Sequence, residues 1–400
     1  MTNQTRHPGP AGRALIGLTL FLFCLLASAD SPGQAPDLRK ALGVAEAQAR
    51  RTIAVLGDSL GIPRYTHPDG RWQTSSASEW TSGFFPGTLW YLSEQTGDTV
   101  LKTAAGRWTA AVEGQKLNSR THDLGFMINC SFGNGFRITG DPHYKEVLLQ
   151  AARTLSGRFN PKVGCIKSWD WPKQWAFPVI IDNMMNLELL MWASRNGGGD
   201  TLAAIARSHA LRTIQNHFRP DGSTFHVVDY DPMTGAVVTK QTHQGAADSS
   251  VWARGQAWAI YGFTMMYRET RDPRFLGAAR RAAGFFLGHL PPDGVPYWDF
   301  DAPRIPDEPR DASAAAIAAS GLLELARYCP PSGEGHRYQQ AATEIMRTLC
   351  SPEYLADPSS SYGILKHTVG NKPANKEVDV SLVYGDYYFV EALIRAMDHH

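Results

Sequence analysis

Hydrophobic positions along this chain fall into two kinds of segment that alternate. Over 274–290, Phe275, Ala279, Ala282, Phe286 and Leu290 make one stripe at helical spacing, with Arg274, Arg280 and Arg281 off it. Such a stripe predicts a helix with one face in water. Segments 184–193 and 314–325 are instead apolar or small on every face, the pattern of a helix buried all round. The two kinds come in pairs. A loop bearing polar and aromatic residues enters an apolar helix, a turn such as Thr96-Gly97-Asp98 or Thr139-Gly140-Asp141-Pro142 follows, and an amphipathic helix returns. Leu38–Leu56 reads as a lone first helix. Then 88–95 pairs with 99–113, a helix from His122-Asp123 to 138 pairs with 143–159, and one from Asp182 to 195 pairs with 201–218. Trp252 opens the next, paired with 274–290; Arg310-Asp311 opens another to 328, paired with 336–349; 379–397 closes the chain. Twelve helices, six inner and six outer, predict an all-α fold, an (α/α)6 barrel built from helical hairpins in one domain. Strand signal is confined to 224–228 and Val237–Gln241, which can pair as a small hairpin on the rim.

In such a toroid the inner helices run the same way, so their N-terminal loops gather at one mouth. Those loops hold Trp80, His122, Asp123, Asp182, His226, His243, Gln244, Trp252, Arg254 and Asp311. The converging positive helix ends favour an anionic ligand.

Composition narrows the picture. Hydrophobic residues at 43%, aromatics at 10% and a net charge of +1 describe a globular protein with a large core. Lys and Arg are scattered, so no phosphate-neutralising surface and no nucleic-acid partner are expected. Arg6 and Arg13 precede the apolar run 15–26, and Ala27-Ser28-Ala29 ends it as a small-x-small cleavage site. This predicts an export signal over 1–29, a mature catalytic domain over 30–400, and a periplasmic or secreted location. The apolar run is too short to span a bilayer, so no membrane association is expected after cleavage, and Phe23 before Cys24 argues against lipidation. Cys130, Cys165, Cys329 and Cys350 show no C-x-x-C spacing, so no zinc site is expected. A Cys329–Cys350 disulfide and buried free thiols both remain open.

Two carboxylates carry the strongest chemical signal. Asp182 stands where the apolar run Val179-Ile180-Ile181 meets a helix buried on all sides. Scarce solvent raises a carboxyl pKa, which suits a proton donor; the alternative is a simple N-cap. Asp123, on the neighbouring inner helix, can share the pocket, and a like charge helps hold one acid protonated. Arg254 offers a fork matched to a carboxylate, Trp252 a stacking face, and Gln244 both donors and acceptors. Trp169, Trp171, Trp175 and Phe177 form an aromatic run that serves a sugar site or a core equally well. His122 and His226 lack ligand spacing, so no metal is expected, and Gly133-Asn134-Gly135 lacks the rest of a dinucleotide fingerprint, so no cofactor is expected either.

With these residues in view the chain resembles the unsaturated glucuronyl hydrolases, glycoside hydrolase family eighty-eight. The resemblance runs from Leu38 to the C-terminus and rests on EWTSGFFPGTLW at 79–90, HDLGF at 122–126 and IDNMMN at Ile181–Asn186. HQGAADSSVWARGQAW at 243–258 and LVYGDYYFVEAL at 382–393 complete it. It implies an (α/α)6 barrel that acts on the 4,5-unsaturated uronic acid left at the non-reducing end by polysaccharide lyases. It also implies Asp182 as general acid and base, and Asp123 as a second essential carboxylate that keeps Asp182 protonated. Sugar contacts are implied for His226, Gln244, Trp252, Arg254, Trp169 and Tyr362, and Trp80 and His122 at the same mouth complete the candidate substrate-binding set. Members that accept sulfated disaccharides carry a Ser-x-x-Ser-x-Lys run where this chain has Gly370-Asn371-Lys372-Pro373-Ala374-Asn375-Lys376, without the serines. Two rivals remain: an unsaturated rhamnogalacturonyl hydrolase on the same fold, acting on pectin fragments, and a non-catalytic exported oligosaccharide-binding protein.

Overall fold

A computed structural model describes residues 36–59, 61–171 and 173–398. The expected export signal over 1–29, with Cys24, lies outside the described residues. Outer helices are α1 (Leu38–Leu56), α3 (Thr99–Ala111), α5 (Pro142–Ser156), α7 (Asp200–His217), α9 (Pro273–Gly288) and α11 (Glu334–Leu349). Inner positions are filled by α2 (Phe84–Thr96), by a π-helix Gly125–Gly133 running into α4 (Asn134–Thr139), and by a 3-10 helix Ile181–Asn186 running into α6 (Leu187–Ala193). The inner set is completed by α8 (Ala253–Thr270), α10 (Ala312–Ala326) and α12 (Val383–Met397). Each inner element packs on the next, and α12 packs on α2, so the ring closes as a toroid. Its inner helices are the ones apolar all round: every residue of α8 from Ala253 to Met266 is buried.

Four of the six outer helices are capped by an aspartate, and α7 and α11 start at glycines without a side-chain cap. Asp37, Asp98, Asp141 and Asp272 each accept a backbone N–H in the first turn of α1, α3, α5 and α9, a cap that contributes about 1 kcal/mol. Most inner helices have no such cap. They start in loops whose polar groups point elsewhere, and only α10 has one, from Asp311.

Strands are more numerous than the sequence suggests. The expected hairpin is present as β6 (Val227–Tyr230) with β7 (Val237–Gln241), starting three residues later than 224. A third strand, β5 (Pro178–Ile180), joins it. Two-stranded pairs are β1 (Ile62–Thr66) with β2 (Trp72–Ser75), β3 (Phe159–Asn160) with β4 (Cys165–Ile166), and β8 (Thr368–Asn371) with β9 (Lys376–Val380). These strands are two to five residues long, too short to show a period-2 pattern. Cys130, Cys165, Cys329 and Cys350 are all free thiols, so the open disulfide question resolves against Cys329–Cys350.

Candidate active site

Asp182 is the second residue of the 3-10 helix, and its position is set by a sheet. Pro178 pairs with Asp229 and Ile180 with Val227, and the Ile181 N–H donates to the His226 carbonyl at 3.0 Å. That register puts the imidazole of His226 beside Asp182, with Nε2 at 3.7 Å from Oδ2. His226 Nδ1 accepts the backbone N–H groups of His243 at 3.1 Å and Gln244 at 3.3 Å. A nitrogen accepting two amides carries no proton, so the neutral ring presents Nε2–H toward the acid. Burial holds the His226 pKa well below its usual value, with His243 and Arg254 adding to the effect.

Asp182 does not cap its helix. The N-cap position belongs to Ile180 and no side chain caps there, so the simple N-cap alternative does not hold. Asp182 is buried, 8% exposed, and among the described residues its Oδ2 has no hydrogen-bond partner. Burial raises its pKa to about 7; Arg254 pulls the other way, and Asp123 adds only a smaller upward push. Asp123 thus acts in the expected direction, but as the lesser cause. Desolvation is the main cause, because a buried carboxylate loses more hydration than one neighbouring charge can alter.

Asp123 sits just before the π-helix and likewise caps nothing with its side chain. Its Oδ2 accepts the Thr121 hydroxyl at 2.6 Å, and Oδ1 lies 3.2 Å from His122 Nε2. The two acid-bearing elements meet closely. Phe126 N–H donates to Asn186 Oδ1 at 3.0 Å, and a Cβ on Gly125 would stand 2.5 Å from the Asn186 Cα. Only glycine permits that approach.

Arg254, at the start of α8, is 1% exposed. Its guanidinium donates to the carbonyls of Val369 and Gly370 in β8 and lies 3.4 Å from Asp311 Oδ2. It stands 4.4 Å over the ring of Trp252 and 5.1 Å from that of Tyr384. Its Nε–H has no hydrogen-bond partner among the described residues. Trp252 in turn lies 4.5 Å from the His226 ring. Gln244 Nε2 donates to Gly370 O at 3.1 Å.

A cavity of about 370 Å³ opens here, lined in part by Trp80, Asp123, Trp169, His243, Gln244 and Arg254. Among the described residues, Arg254 Nε and Tyr384 Oη on its lining have no hydrogen-bond partner, and neither do Asp182 Oδ2, next to Arg254 and Asp123, or His226 Nε2 and Trp258 Nε1 beside Asp182. Buried polar atoms ordinarily find partners, so this concentration suits a polar ligand. A larger cavity of about 410 Å³ lies toward the far ends of the inner helices, around Tyr91, Glu188, Tyr261, Glu391 and Arg395. Its acids are already engaged, Glu188 by Arg268 and Glu391 by Arg395, Tyr91 and Tyr261, so it lacks the free acid found at the first mouth.

Trp80, His122, Asp123, Trp169, Asp182, His226, Gln244, Trp252 and Arg254 thus come together. Tyr362 does not. It packs under Arg51 of α1 at 4.6 Å, near Trp72 and Phe85, away from this cavity. The loop carrying it binds back on Gly70 through backbone, a placement that motif matching does not reveal. Sequence reasoning in turn left out Trp258 and Tyr384 as site residues, although both fall inside quoted motifs. Their helices read as core, and nothing in the pattern separates an indole that borders the acid, as Trp258 borders Asp182, from one that only fills the core. Among the described residues no group of three His, Cys, Asp or Glu side chains is placed to hold a metal.

No family model matches the chain. Among curated proteins it is 51% identical over 324 residues to an unsaturated glucuronyl hydrolase of Formosa agariphila, covering 80% of each chain. Among solved structures it superposes at a TM-score of 0.87 and 45% identity on an unsaturated glucuronyl hydrolase specific for heparin, covering 90% of this chain and 97% of that one. A Streptococcus agalactiae unsaturated glucuronyl hydrolase variant complexed with dGlcA-GalNAc6S matches at a TM-score of 0.77 and 31% identity, covering 90% of both chains. A buried free acid at the mouth of an α/α toroid, with these similarities across most of the chain, means that this protein belongs to the unsaturated glucuronyl hydrolases, glycoside hydrolases of the (α/α)6-barrel fold.

Proposed function

We propose that Asp182 opens the reaction by protonating C4 of the unsaturated uronate, and that the enzyme serves the breakdown of glycosaminoglycan fragments made by lyases. The observation that carries this reading is the Asp182 carboxyl itself, buried, unpartnered at Oδ2, and raised to about 7. Such a group is half protonated near neutrality and can give up its proton in the transition state.

The Asp182 proton goes to C4 as the C4=C5 electron pair forms the new C–H bond, leaving positive charge at C5 shared with the ring oxygen. Water adds at C5 and returns its proton to the Asp182 carboxylate. The hemiketal at C5 opens to a ketone, and the hemiacetal left at C1 collapses to an aldehyde with release of the leaving sugar. The glycosidic bond is lost by rearrangement, without the displacement at C1 that two-carboxylate glycosidases use. Arg254, fixed by β8 and Asp311, presents its free Nε–H to the uronate carboxylate, and His226 Nε2–H donates in the same pocket. Asp123, negative and close by, helps offset the charge developing at C5. The glycosaminoglycan assignment is supported by the heparin and dGlcA-GalNAc6S named for the structural relatives. We also propose export, supported by Arg6, Arg13, the apolar run 15–26 and Ala27-Ser28-Ala29; N-terminal sequencing of the secreted protein at Asp30 would agree with it.

The test of the catalytic reading is Asp182→Asn, followed by loss of the ultraviolet absorbance of an unsaturated disaccharide. The amide keeps the shape but has no acidic proton, so turnover should fall by about 10²–10⁴-fold or more. Retention of more than a tenth of wild-type turnover would reject Asp182 as the acid.

A further inference from the structure

Exposure rises steadily from the acid to the rim, and that gradient orders the cleft. Arg254, Trp252, His226 and Asp182 are buried, Trp169 is half-buried, and Trp171 is 61% exposed. A chain end seated against Asp182 therefore sends its next residue outward past Trp169 toward Trp171 and Arg120. Both of these line the same cavity as Asp123.

Two observations show that this rim is organised. The first is a clasp. Arg158, whose side chain is 6% exposed, donates to Ser119 O at 2.5 Å, Lys167 O at 2.8 Å and Ser168 O at 3.3 Å, and pairs with Asp170 at 2.8 Å. One buried guanidinium thus ties the loop bearing Arg120 and Asp123 to the loop bearing Trp169 and Trp171. The second is a ladder of rings. Trp175 stacks on Trp169 at 5.9 Å, Trp169 meets Trp171 at 5.4 Å, and His243 lies edge-on to Trp171 at 5.2 Å. The ladder ends at an indole in water.

The charges here are unbalanced. Arg64, Arg120, Arg254 and Lys376 line the cavity against the carboxylates of Asp123 and Glu377. Arg64 is committed to Glu79 and Glu377, and Arg254 is held by β8 and Asp311. The Arg120 and Lys376 side chains make no hydrogen bond or ion pair with another described residue.

We infer that Arg120 and Trp171 form a leaving-group subsite for a sugar that carries its own anionic group, the indole stacking on the ring and the guanidinium meeting the anion. The inference rests on the hydrolase reading above. A sulfate and a carboxylate present the same chemistry to Arg120, and the substrates of the test separate them.

The test compares wild type, Arg120→Gln and Trp171→Ala on three unsaturated disaccharides whose leaving residue is neutral, sulfated or carboxylated. Both side chains are on the surface, and thermal melts check that the variants fold. In Arg120→Gln the ratio of kcat/KM on an anionic leaving residue to that on the neutral one should fall about fivefold at low salt, and less as salt rises. A fall for the sulfated substrate only, or for the carboxylated only, upholds the subsite and names its anion. Trp171→Ala should raise KM about three- to tenfold with little change in kcat. Unchanged ratios in Arg120→Gln, or an unchanged KM in Trp171→Ala, would overturn the subsite. Wild type that turns over none of the three would overturn the hydrolase reading, and the subsite with it.

Discussion

Asp182 holds its proton through burial, and this gives three linked predictions at the scale of single residues. Wild-type kcat/KM should fall as pH rises through about 7, where the proposed acid ionises. Asp123→Asn removes a minor upward push and should lower that alkaline limb only slightly, whereas Arg254→Gln removes the main opposing influence and should raise it. Residual activity of the two variants, followed against pH, checks the opposite signs; limbs moving the same way would contradict them. Stability gives the third. A carboxyl whose folded pKa lies above its unfolded value favours folding least where it must ionise. The wild type therefore loses up to a few kcal/mol as pH rises from about 4 to about 7, a loss that Asp182→Asn escapes. The melting temperature of Asp182→Asn should exceed that of wild type at about pH 8, with the gap closing near pH 4; an equal gap at both would contradict it. At this scale Asp182, Asp123 and Arg254 were legible from their places at helix mouths. The balance between desolvation and neighbouring charge was not, because it depends on distances and packing that spacing along the chain does not encode.

At the scale of elements, the two acid-bearing segments are the irregular ones. The sequence reads both as plain helices, yet Gly125–Gly133 is a π-helix and Ile181–Asn186 a 3-10 helix. Their apolar composition is compatible with any of these windings, so the choice is made by tertiary contact. Gly125 against the Asn186 backbone is such a contact. Gly125→Ala should push the two elements apart, costing about 1–3 kcal/mol of stability and a larger share of kcat than of binding. Calorimetry with steady-state kinetics checks it; unchanged kcat would mean that the close approach does not position the acids. The outer helices were easier to read, because Thr-Gly-Asp and Arg-Asp-Pro turns announce their caps. The three-stranded sheet was harder: Pro178–Ile180 reads as the approach to a helix, and only its pairing with Val227–Tyr230 shows why His226 stands beside Asp182.

At the scale of the whole molecule, the ring of inner helices was legible because burial on every face and burial on one stripe leave different patterns. Which end of the ring works was legible too, since inner helices running one way bring their N-terminal loops to a common mouth. The far mouth was not foreseen. Its buried arginines and glutamates, such as Arg268 with Glu188 and Glu324, lie on separate helices, and no spacing connects them. Protonation at C4 remains the central claim, and a saturated substrate tests it most directly. A glucuronide with the same linkage and leaving sugar but no C4=C5 double bond keeps the carboxylate and the glycosidic bond and removes the site of protonation. Measured at saturating concentration, it should inhibit competitively and release no leaving sugar. Release at a rate near that of the unsaturated disaccharide would mean that the bond is broken at C1 by ordinary acid catalysis, and would contradict the mechanism.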